Sequence, residues 1–422
     1  MALGRAAARV LGAGCILVGR DTRVSGPLLQ AALAAGMTAE GVGVGDLGVI
    51  PTPGAAWVSA ADNLPAAVIS ASHNPFADNG IKFFAAGGRK LDDAQERRLE
   101  AELDALLGPA RGAAGGRVAG AGVGRIEVLD GGHRYLDALV GLFPEGIEGL
   151  SVVVDCAHGA ASAYAPAVLR DLGVDVSVLH DEPDGLNIND GCGSTHPESL
   201  QRAVVARGAD VGLAFDGDAD RVLAADAAGA MVDGDQLLAV LAADRRERRL
   251  LADDTVVLTV MANLGLRQAL AGLGIRWVET AVGDRSVLEA LEAGAWSLGG
   301  EQSGHLILRD LATTGDGILT GLALLDVVRR SGRPLADLAA VMTRLPQVLR
   351  NVALPEGRLL NGAEPWASAL ADVQASLGSS GRVLVRPSGT EPVVRVMVEA
   401  PSLAEADAAC GVLCDAITAA VG

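Results

Sequence analysis

Aromatic residues make up only 3% of this 422-residue chain, although half of it is hydrophobic. The core must therefore be built from Ala, Val and Leu, with 55 Gly supplying tight turns and close backbone approach. Positive charge is also short: 34 Lys and Arg face 52 Asp and Glu, a net charge of −18. That balance argues against nucleic acid as a partner, which needs a basic footprint. It leaves room for an anionic small substrate held by a local Arg cluster. The five cysteines (Cys15, Cys156, Cys192, Cys410, Cys414) are odd in number, widely spread and form no CxxC. Neither a disulfide framework nor a Cys-based zinc site is favoured, and a reducing cytoplasm is the expected compartment. No apolar run has the length of a membrane span, so no membrane partner is expected. Met1–Val18, with Arg5 and Arg9 before an apolar stretch, has a faint likeness to a secretion signal. A helix followed by a first strand at Cys15–Val18 is the better reading.

What the chain does have is a rhythm of short β-branched runs, Gly- or Asp-rich loops and Ala/Leu-rich helical stretches. Strands are expected at Cys15–Gly19, Val42–Val44, Ala66–Ser70, Ser151–Asp155, Asp175–Leu179, Val211–Phe215, Thr255–Val260 and Trp277–Thr280. Helices are expected at Pro27–Met37, at Asp92–Leu107 and near Ala163–Leu172. Alternation of this kind predicts an α/β protein with mostly parallel, buried sheets covered by helices. The end differs: two strands, Arg382–Val385 and Val393–Glu399, precede a helix opened by a Ser402/Glu405 capping box. Leu403, Ala406, Cys410, Leu413 and Ile417 fall on one face of that helix. The expectation is three similar α/β domains, 1–142, 143–244 and 245–355, and a small α+β domain at 356–422. The Gly/Ala/Arg-rich stretch Gly108–Gly124, the segment Phe143–Gly149, the charged run Asp244–Asp254 and the stretch Pro355–Pro365 are candidate boundaries. Identity among the three units is too weak to define a repeat.

Chemistry concentrates in five loops. Asp216-Gly217-Asp218-Ala219-Asp220-Arg221 places three carboxylates at i, i+2 and i+4, on one side of an extended backbone. Their repulsion is naturally relieved by a divalent cation, and all-oxygen ligands favour Mg²⁺ over zinc. Ser70-Ala71-Ser72-His73-Asn74-Pro75 follows a buried strand, where an exposed nucleophile would sit, with His73 and Lys82 near enough to move protons or offset charge. Read alone, it is equally an ordinary Ser/Asn-Pro turn. Arg386-Pro387-Ser388-Gly389-Thr390-Glu391, with Arg395 on the next strand, suits a phosphate dianion, a polar hairpin turn being the alternative. Gly300-Glu301-Gln302-Ser303-Gly304-His305 could hold sugar hydroxyls but carries little alone. In Gly19-Arg20-Asp21-Thr22-Arg23 two Arg could face an anion or make a surface ion pair. No Walker loop and no G-x-S-x-G elbow occurs.

Taken in order, GRDTR (19–23), SASHNP (70–75), DGDADR (216–221), GEQSGH (300–305) and RPSGTEP (386–392) resemble the α-D-phosphohexomutase superfamily. Gln302 and the stretch Asn187–Glu198 resemble its branch of bacterial phosphoglucosamine mutases. The resemblance implies four domains around a central cleft. It implies that Ser72 is phosphorylated in the active enzyme, that Asp216, Asp218, Asp220 and the Ser72 phosphoryl group hold one Mg²⁺, and that Glu301 and Ser303 meet sugar hydroxyls. By the same resemblance Arg386, Ser388, Gly389, Thr390 and Arg395 clamp the non-reacting phosphate. Arg20, Lys82, Arg221 and His305 stand as candidates for stabilising the moving phosphoryl group or relaying protons. Cys192 and His196 become structural or domain-contact residues. The implied reaction interconverts glucosamine 6-phosphate and glucosamine 1-phosphate through a sugar 1,6-bisphosphate. The partners are small hexosamine phosphates, and a homodimer is left open. The same chemistry on unaminated hexose phosphates, a serine phosphatase, or an inactive sugar-phosphate binder are the alternatives. The last arises because the family's opening FGTDGIRG-like strand and loop have no match in the 18 residues before Gly19. A first sheet without its opening strand is therefore expected.

Overall fold

The computed structural model describes residues 1–108, 118–354, 366–387 and 392–421. Among them four sheets form. The first holds β1 (Cys15–Arg20), β2 (Gly43–Val49), β3 (Ala66–Ile69), β4 (Ile81–Ala85), β5 (Arg89–Lys90) and β6 (Ile126–Val128) in the order β5-β4-β3-β1-β2-β6. The second holds β7 (Ser151–Asp155), β8 (Asp175–Leu179), β9 (Val211–Phe215), β10 (Val222–Asp226) and β11 (Met231–Val232), ordered β11-β10-β9-β7-β8. The third holds β12 (Thr255–Thr259), β13 (Arg276–Thr280), β14 (Leu298–Gly300) and β15 (Leu306–Leu308), ordered β13-β12-β14-β15. The fourth, β16 (Gln347–Ala353), β17 (Arg382–Pro387) and β18 (Val393–Glu399), is antiparallel in the order β16-β18-β17.

The first three sheets share one winding. A central strand (β1, β7, β12) pairs in parallel with the next strand on one side and the one after on the other. The chain then reverses into an antiparallel hairpin: β3–β4, β9–β10 and β14–β15. The central strands are continuous apolar runs, such as Val152–Val154 and Val256–Leu258, because helices cover both faces. The three similar α/β units thus share a topology that their sequences do not display.

Small residues do the packing that aromatics do elsewhere. The helices Ala2–Leu11 and Gly26–Thr38 touch backbone to backbone: a Cβ at Gly4 would lie 2.1 Å from the Leu33 carbonyl oxygen, and one at Gly36 2.2 Å from that of Met1. The first helix and β1 stand where the spacing predicts them.

The chain divides into two compact units, one of Met1–Met261 with Gly274–Val341 and the other of Ala262–Leu273 with Met342–Gly422. The first contains the three α/β sheets. The second has its own core, built from Trp366, Val394, Val396, Val398, Cys410, Leu413 and Ile417. Within it, Asn263 exchanges two 3.0 Å hydrogen bonds with the Leu345 backbone, and Glu399 accepts from the Leu264 amide at 2.9 Å.

Three expectations need correction. The charged run Asp244–Asp254, a candidate boundary, begins inside an element, because the helix Gly234–Glu247, opened by an Asp233/Gln236 capping box, runs into it. β16 precedes the stretch Pro355–Pro365 yet belongs to the C-terminal sheet, so this unit starts earlier than composition indicated. On the last helix, Ala406, Cys410, Leu413 and Ile417 are buried, but Leu403, at the first position of the helix, is 62% exposed. All five cysteines are free thiols, and no helix of the described residues is long and apolar enough to cross a membrane.

One buried pair joins the helices Gly131–Gly141 and Gly317–Ser331. Asp316 caps the helix Gly317–Ser331 through the Leu319 amide (2.9 Å) and accepts a hydrogen bond from the Tyr135 hydroxyl (2.8 Å). Burial pushes the Asp316 carboxyl from its ordinary 3.8 up to about 6. A raised carboxyl favours the fold while protonated, and that contribution is lost as pH rises through about 6. Tyr135→Phe removes the donor that the ionised form needs. It should cost roughly 1–3 kcal/mol in urea denaturation at pH 8 and clearly less at pH 5, where Asp316 is largely protonated; equal losses at both would refute the assignment.

Candidate active site and metal centre

Three of the four motif loops in the first unit are the turns of the three equivalent hairpins. Ser72 lies between β3 and β4, Asp216–Asp220 between β9 and β10, and Glu301–His305 between β14 and β15. The acidic trio is not on extended backbone, as alternation had suggested. The chain must reverse between antiparallel β9 and β10, and it does so in a turn with Ala219 in the left-handed region (φ 57°). The carboxylates still converge, with one oxygen from each of Asp216, Asp218 and Asp220 within 4.8 Å of the others, and all three side chains are buried.

Ser72 is brought to this trio from 144 positions away, its hydroxyl donating to Asp216 Oδ2 at 2.6 Å. Its backbone is left-handed (φ 52°), a conformation that persists only where surroundings impose it. Those surroundings are specific. The Ser72 amide donates to Ser70 Oγ (3.0 Å), and Ser70 donates to Asp21 Oδ2 (2.7 Å). The Ser72 carbonyl accepts from Arg23 (3.1 Å) and Asn189 (2.9 Å). Gly217 is required on the facing loop, since a Cβ there would stand 2.6 Å from the Ser72 carbonyl oxygen.

Charge compensation comes from several elements. Lys82, on β4, reaches Asp218 Oδ2 at 2.7 Å and Asp220 Oδ2 at 3.1 Å. Arg221 lies 3.8 Å from Asp220 and 3.3 Å from His73 Nδ1, which is itself 3.4 Å from the Ser72 hydroxyl. His305 is buried between Asp220 (3.8 Å) and Asp284 (3.9 Å). Burial, with Asp220 and Asp218 beside it, pushes the Asp216 carboxyl well above its ordinary range. Burial would raise Asp220 too, but Lys82, then His305, hold it well below. Burial also lowers His73, with Arg221 adding to the effect.

The donor set fits a hard divalent cation. Asp218 Oδ1 and Asp220 Oδ1 are buried oxygens with no hydrogen-bond partner, and a carboxylate oxygen left so is costly without a cation. Carboxylates with a serine oxygen beside them match Mg²⁺ chemistry.

Other predicted residues fall as follows. Glu301 accepts from the Gly283 amide (2.9 Å), and Ser303 is exposed on the same loop. Arg386 and Arg395 are directly paired across β17 and β18. Ser388, Gly389 and Thr390 lie outside the described residues. Arg20 is not brought to the Ser72 group; its guanidinium turns to Gln30 at 2.9 Å. In the same motif Arg23 faces neither a free anion nor the surface. It is buried, paired with Asp21 at 2.8 Å, and donates to carbonyls of Ser72, Asn74, Pro75 and Asp78, fixing the serine loop. Cys192 is buried while His196 is exposed, so they share no site.

Sequence reasoning missed Thr52. Its hydroxyl donates to Asp218 Oδ2 at 2.6 Å, and its amide to the Asp218 carbonyl at 3.0 Å. Nothing local in Pro51-Thr52-Pro53 signals a partner 166 residues away.

Sequence signatures of four domains match in order: phosphoglucomutase/phosphomannomutase alpha/beta/alpha domain I at residues 1–107, domain II at 133–229, domain III at 233–345 and the C-terminal domain at 349–415. The chain belongs to the phosphoglucomutase/phosphomannomutase family. It is 54% identical over 390 residues to a phosphoglucosamine mutase of Rhodococcus jostii, covering 92% of this chain and 86% of that protein. It is 52% identical over 409 residues to one of Streptomyces coelicolor, covering 96% and 90%. Among solved structures, a phosphoglucomutase/phosphomannomutase family protein of Burkholderia thailandensis superposes with a TM-score of 0.80 at 26% identity, covering 99% of this chain and 93% of that one. As a member of this family the chain is an isomerase of phosphorylated carbohydrate, and the family's use of a metal agrees with the buried acidic trio.

Thr52→Val keeps the side chain's shape but removes the hydroxyl that orients Asp218. Losing such a supporting group should weaken Mg²⁺ binding by ~10–100-fold, read by calorimetry on a protein with unchanged circular dichroism. Unchanged affinity would remove Thr52 from the centre.

Proposed function

We propose that this chain interconverts glucosamine 6-phosphate and glucosamine 1-phosphate through a phosphorylated Ser72 and a sugar 1,6-bisphosphate, which also serves as activator. The observation that carries the reading is the Ser72 hydroxyl held 2.6 Å from Asp216 inside a buried carboxylate trio. The phosphoglucosamine mutase relatives support the amino-sugar substrate over glucose or mannose phosphates. An N-acetylphosphoglucosamine mutase of Aspergillus fumigatus, solved with GlcNAc-6P and magnesium, has the same fold (TM-score 0.67, 20% identity, 88% of this chain and 93% of that chain covered).

In this reading Asp216, Asp218, Asp220 and the Ser72 phosphoryl oxygen would hold one Mg²⁺, which when bound neutralises charge on the transferring group. The chain's own residues do the rest. The left-handed Ser72 loop, fixed by Arg23 and Asn189, presents the reacting oxygen. Lys82 and Arg221 supply fixed positive charge beside it, where phosphoryl transfer depends on positioning and electrostatics more than covalent help. His73 and His305 are the groups placed to move a proton to or from the sugar hydroxyl. Glu301 and Ser303 meet sugar hydroxyls. Arg386 and Arg395, register partners across β17 and β18, take the other phosphate with Ser388, Gly389 and Thr390; like charges opposed across two strands are stabilised by an anion. The phosphoryl group passes from Ser72 to the free sugar hydroxyl, the bisphosphate turns end for end, and its other phosphate returns to Ser72. We place the reaction in the cytoplasm.

A coupled assay for glucosamine 1-phosphate, started by a hexose 1,6-bisphosphate, should give turnover that Ser72→Ala abolishes and Asp218→Asn makes dependent on higher Mg²⁺. Intact mass should show one phosphoryl adduct, absent in Ser72→Ala. Preference for glucose or mannose 1-phosphate in a substrate panel would reject the amino-sugar assignment. Release of inorganic phosphate without isomer would reject the mutase.

A further inference from the structure

A second cluster of ligand-type side chains stands at the carboxyl ends of two neighbouring parallel strands. Asp155 ends β7, and His180 directly follows β8, whose Leu179 is the register partner of Asp155. Cys192, on the turn after Asn189, completes it: one ligand atom from each of Asp155, His180 and Cys192 lies within 4.8 Å of the others. Ligands of a single tetrahedral zinc are separated by roughly 3.5 Å, given bonds of about 2.0–2.3 Å, so small side-chain rotations would bring these three onto one ion.

In the metal-free chain His180 Nδ1 pairs with Asp155 Oδ2 at 3.0 Å, so the two ligand atoms already stand side by side. The His158 ring meets that of His180 edge-on at 5.2 Å, and its Nδ1 is buried without a hydrogen-bond partner. Asp155 and Cys192 are fully buried, while the His180 side chain remains 28% exposed, which leaves a path in from solvent. Ala157, His158, His180 and Asn189 are all left-handed (φ 55°, 49°, 52° and 60°), a local concentration of unfavourable backbone that clusters at functional sites.

We propose that Asp155, His180 and Cys192 form a zinc-binding site separate from the Mg²⁺ centre. Sulfur, imidazole nitrogen and one carboxylate are the donors of a borderline-soft cation, and the all-oxygen trio is not. Burial pushes the Cys192 thiol up to about 12, so it is a neutral thiol until a metal binds. Ligation replaces the S–H bond by S–Zn and releases the proton to solvent. The site lies behind the serine loop. The Asn189 amide bonds the Ala157 carbonyl (2.9 Å) while the Asn189 side chain holds the Ser72 and Asn74 carbonyls, and Thr22 donates to the His158 carbonyl (2.6 Å). A bound zinc would therefore tie together the turns that fix Ser72.

The test is a Co²⁺ titration of the full chain in saturating Mg²⁺. Co²⁺ bound through Cys192 gives a thiolate-to-metal charge-transfer band in the near ultraviolet, which an all-oxygen site cannot give, and Zn²⁺ should displace it. Cys192→Ser should lack the band and bind one metal fewer, yet keep Mg²⁺-dependent turnover. His180→Ala, at a partly exposed position, should weaken Zn²⁺ binding by at least the ~10–100-fold that losing a supporting group costs. Absence of a thiolate band in the unmodified chain overturns the proposal without recourse to any variant. So does a band that survives Cys192→Ser.

Discussion

Three carboxylates share one buried turn, and their mutual repulsion is the constraint around which the first unit is arranged. Isolated, they could not stay ionised away from water. Lys82 arrives from the first sheet, Arg221 from the second and His305 from the third, each within 4 Å of at least one carboxylate oxygen. The two extreme carboxyls divide accordingly. Burial and its two acidic neighbours push Asp216 upward, while Lys82 and His305 hold Asp220 down. A metal completes what these cations begin.

Convergence of three sheets on one point requires backbone approach closer than side chains allow. Glycines at the acidic turn allow that approach. Gly159 and Gly217 face each other so closely that a Cβ on the first would lie 2.4 Å from the carbonyl oxygen of the second. Gly317 stands likewise against the Arg221 carbonyl oxygen, at 2.4 Å. The acidic turn is thus gripped by backbone from several sides, and its carboxylates have little freedom to escape one another.

The serine loop is held by the same logic applied to carbonyls. Arg23 is buried to satisfy four of them, with Asp21 balancing its charge, and Asn189 satisfies two from another direction. A guanidinium suits this task because its planar fork donates in several directions at once. A left-handed serine is the outcome, exposed to the acidic turn at the end of a short buried strand. The zinc ligands proposed above sit on the turns adjoining this scaffold, where backbone strain is concentrated.

Much of this was legible beforehand, for identifiable reasons. Strands such as Ser151–Asp155 and Val211–Phe215 appear where β-branched or apolar runs predict them, because strands buried on both faces leave an unbroken apolar signature. The acidic trio and the Ser72 loop are visible because their residues are contiguous and chemically unusual. What could not be read were roles set by distant partners. Thr52, Arg23 and the Asp155–His180–Cys192 group look ordinary until the sheets close. The similarity of the three α/β units was expected from their alternation of strands and helices, but their common strand order and hairpin position were not, since many apolar sequences satisfy these equally. The sequence alone determined which local groups could react and which segments would be buried, because both follow from side-chain chemistry along a short stretch. Only the tertiary structure decided which of those groups meet, because contacts between residues more than a hundred positions apart depend on how whole sheets pack.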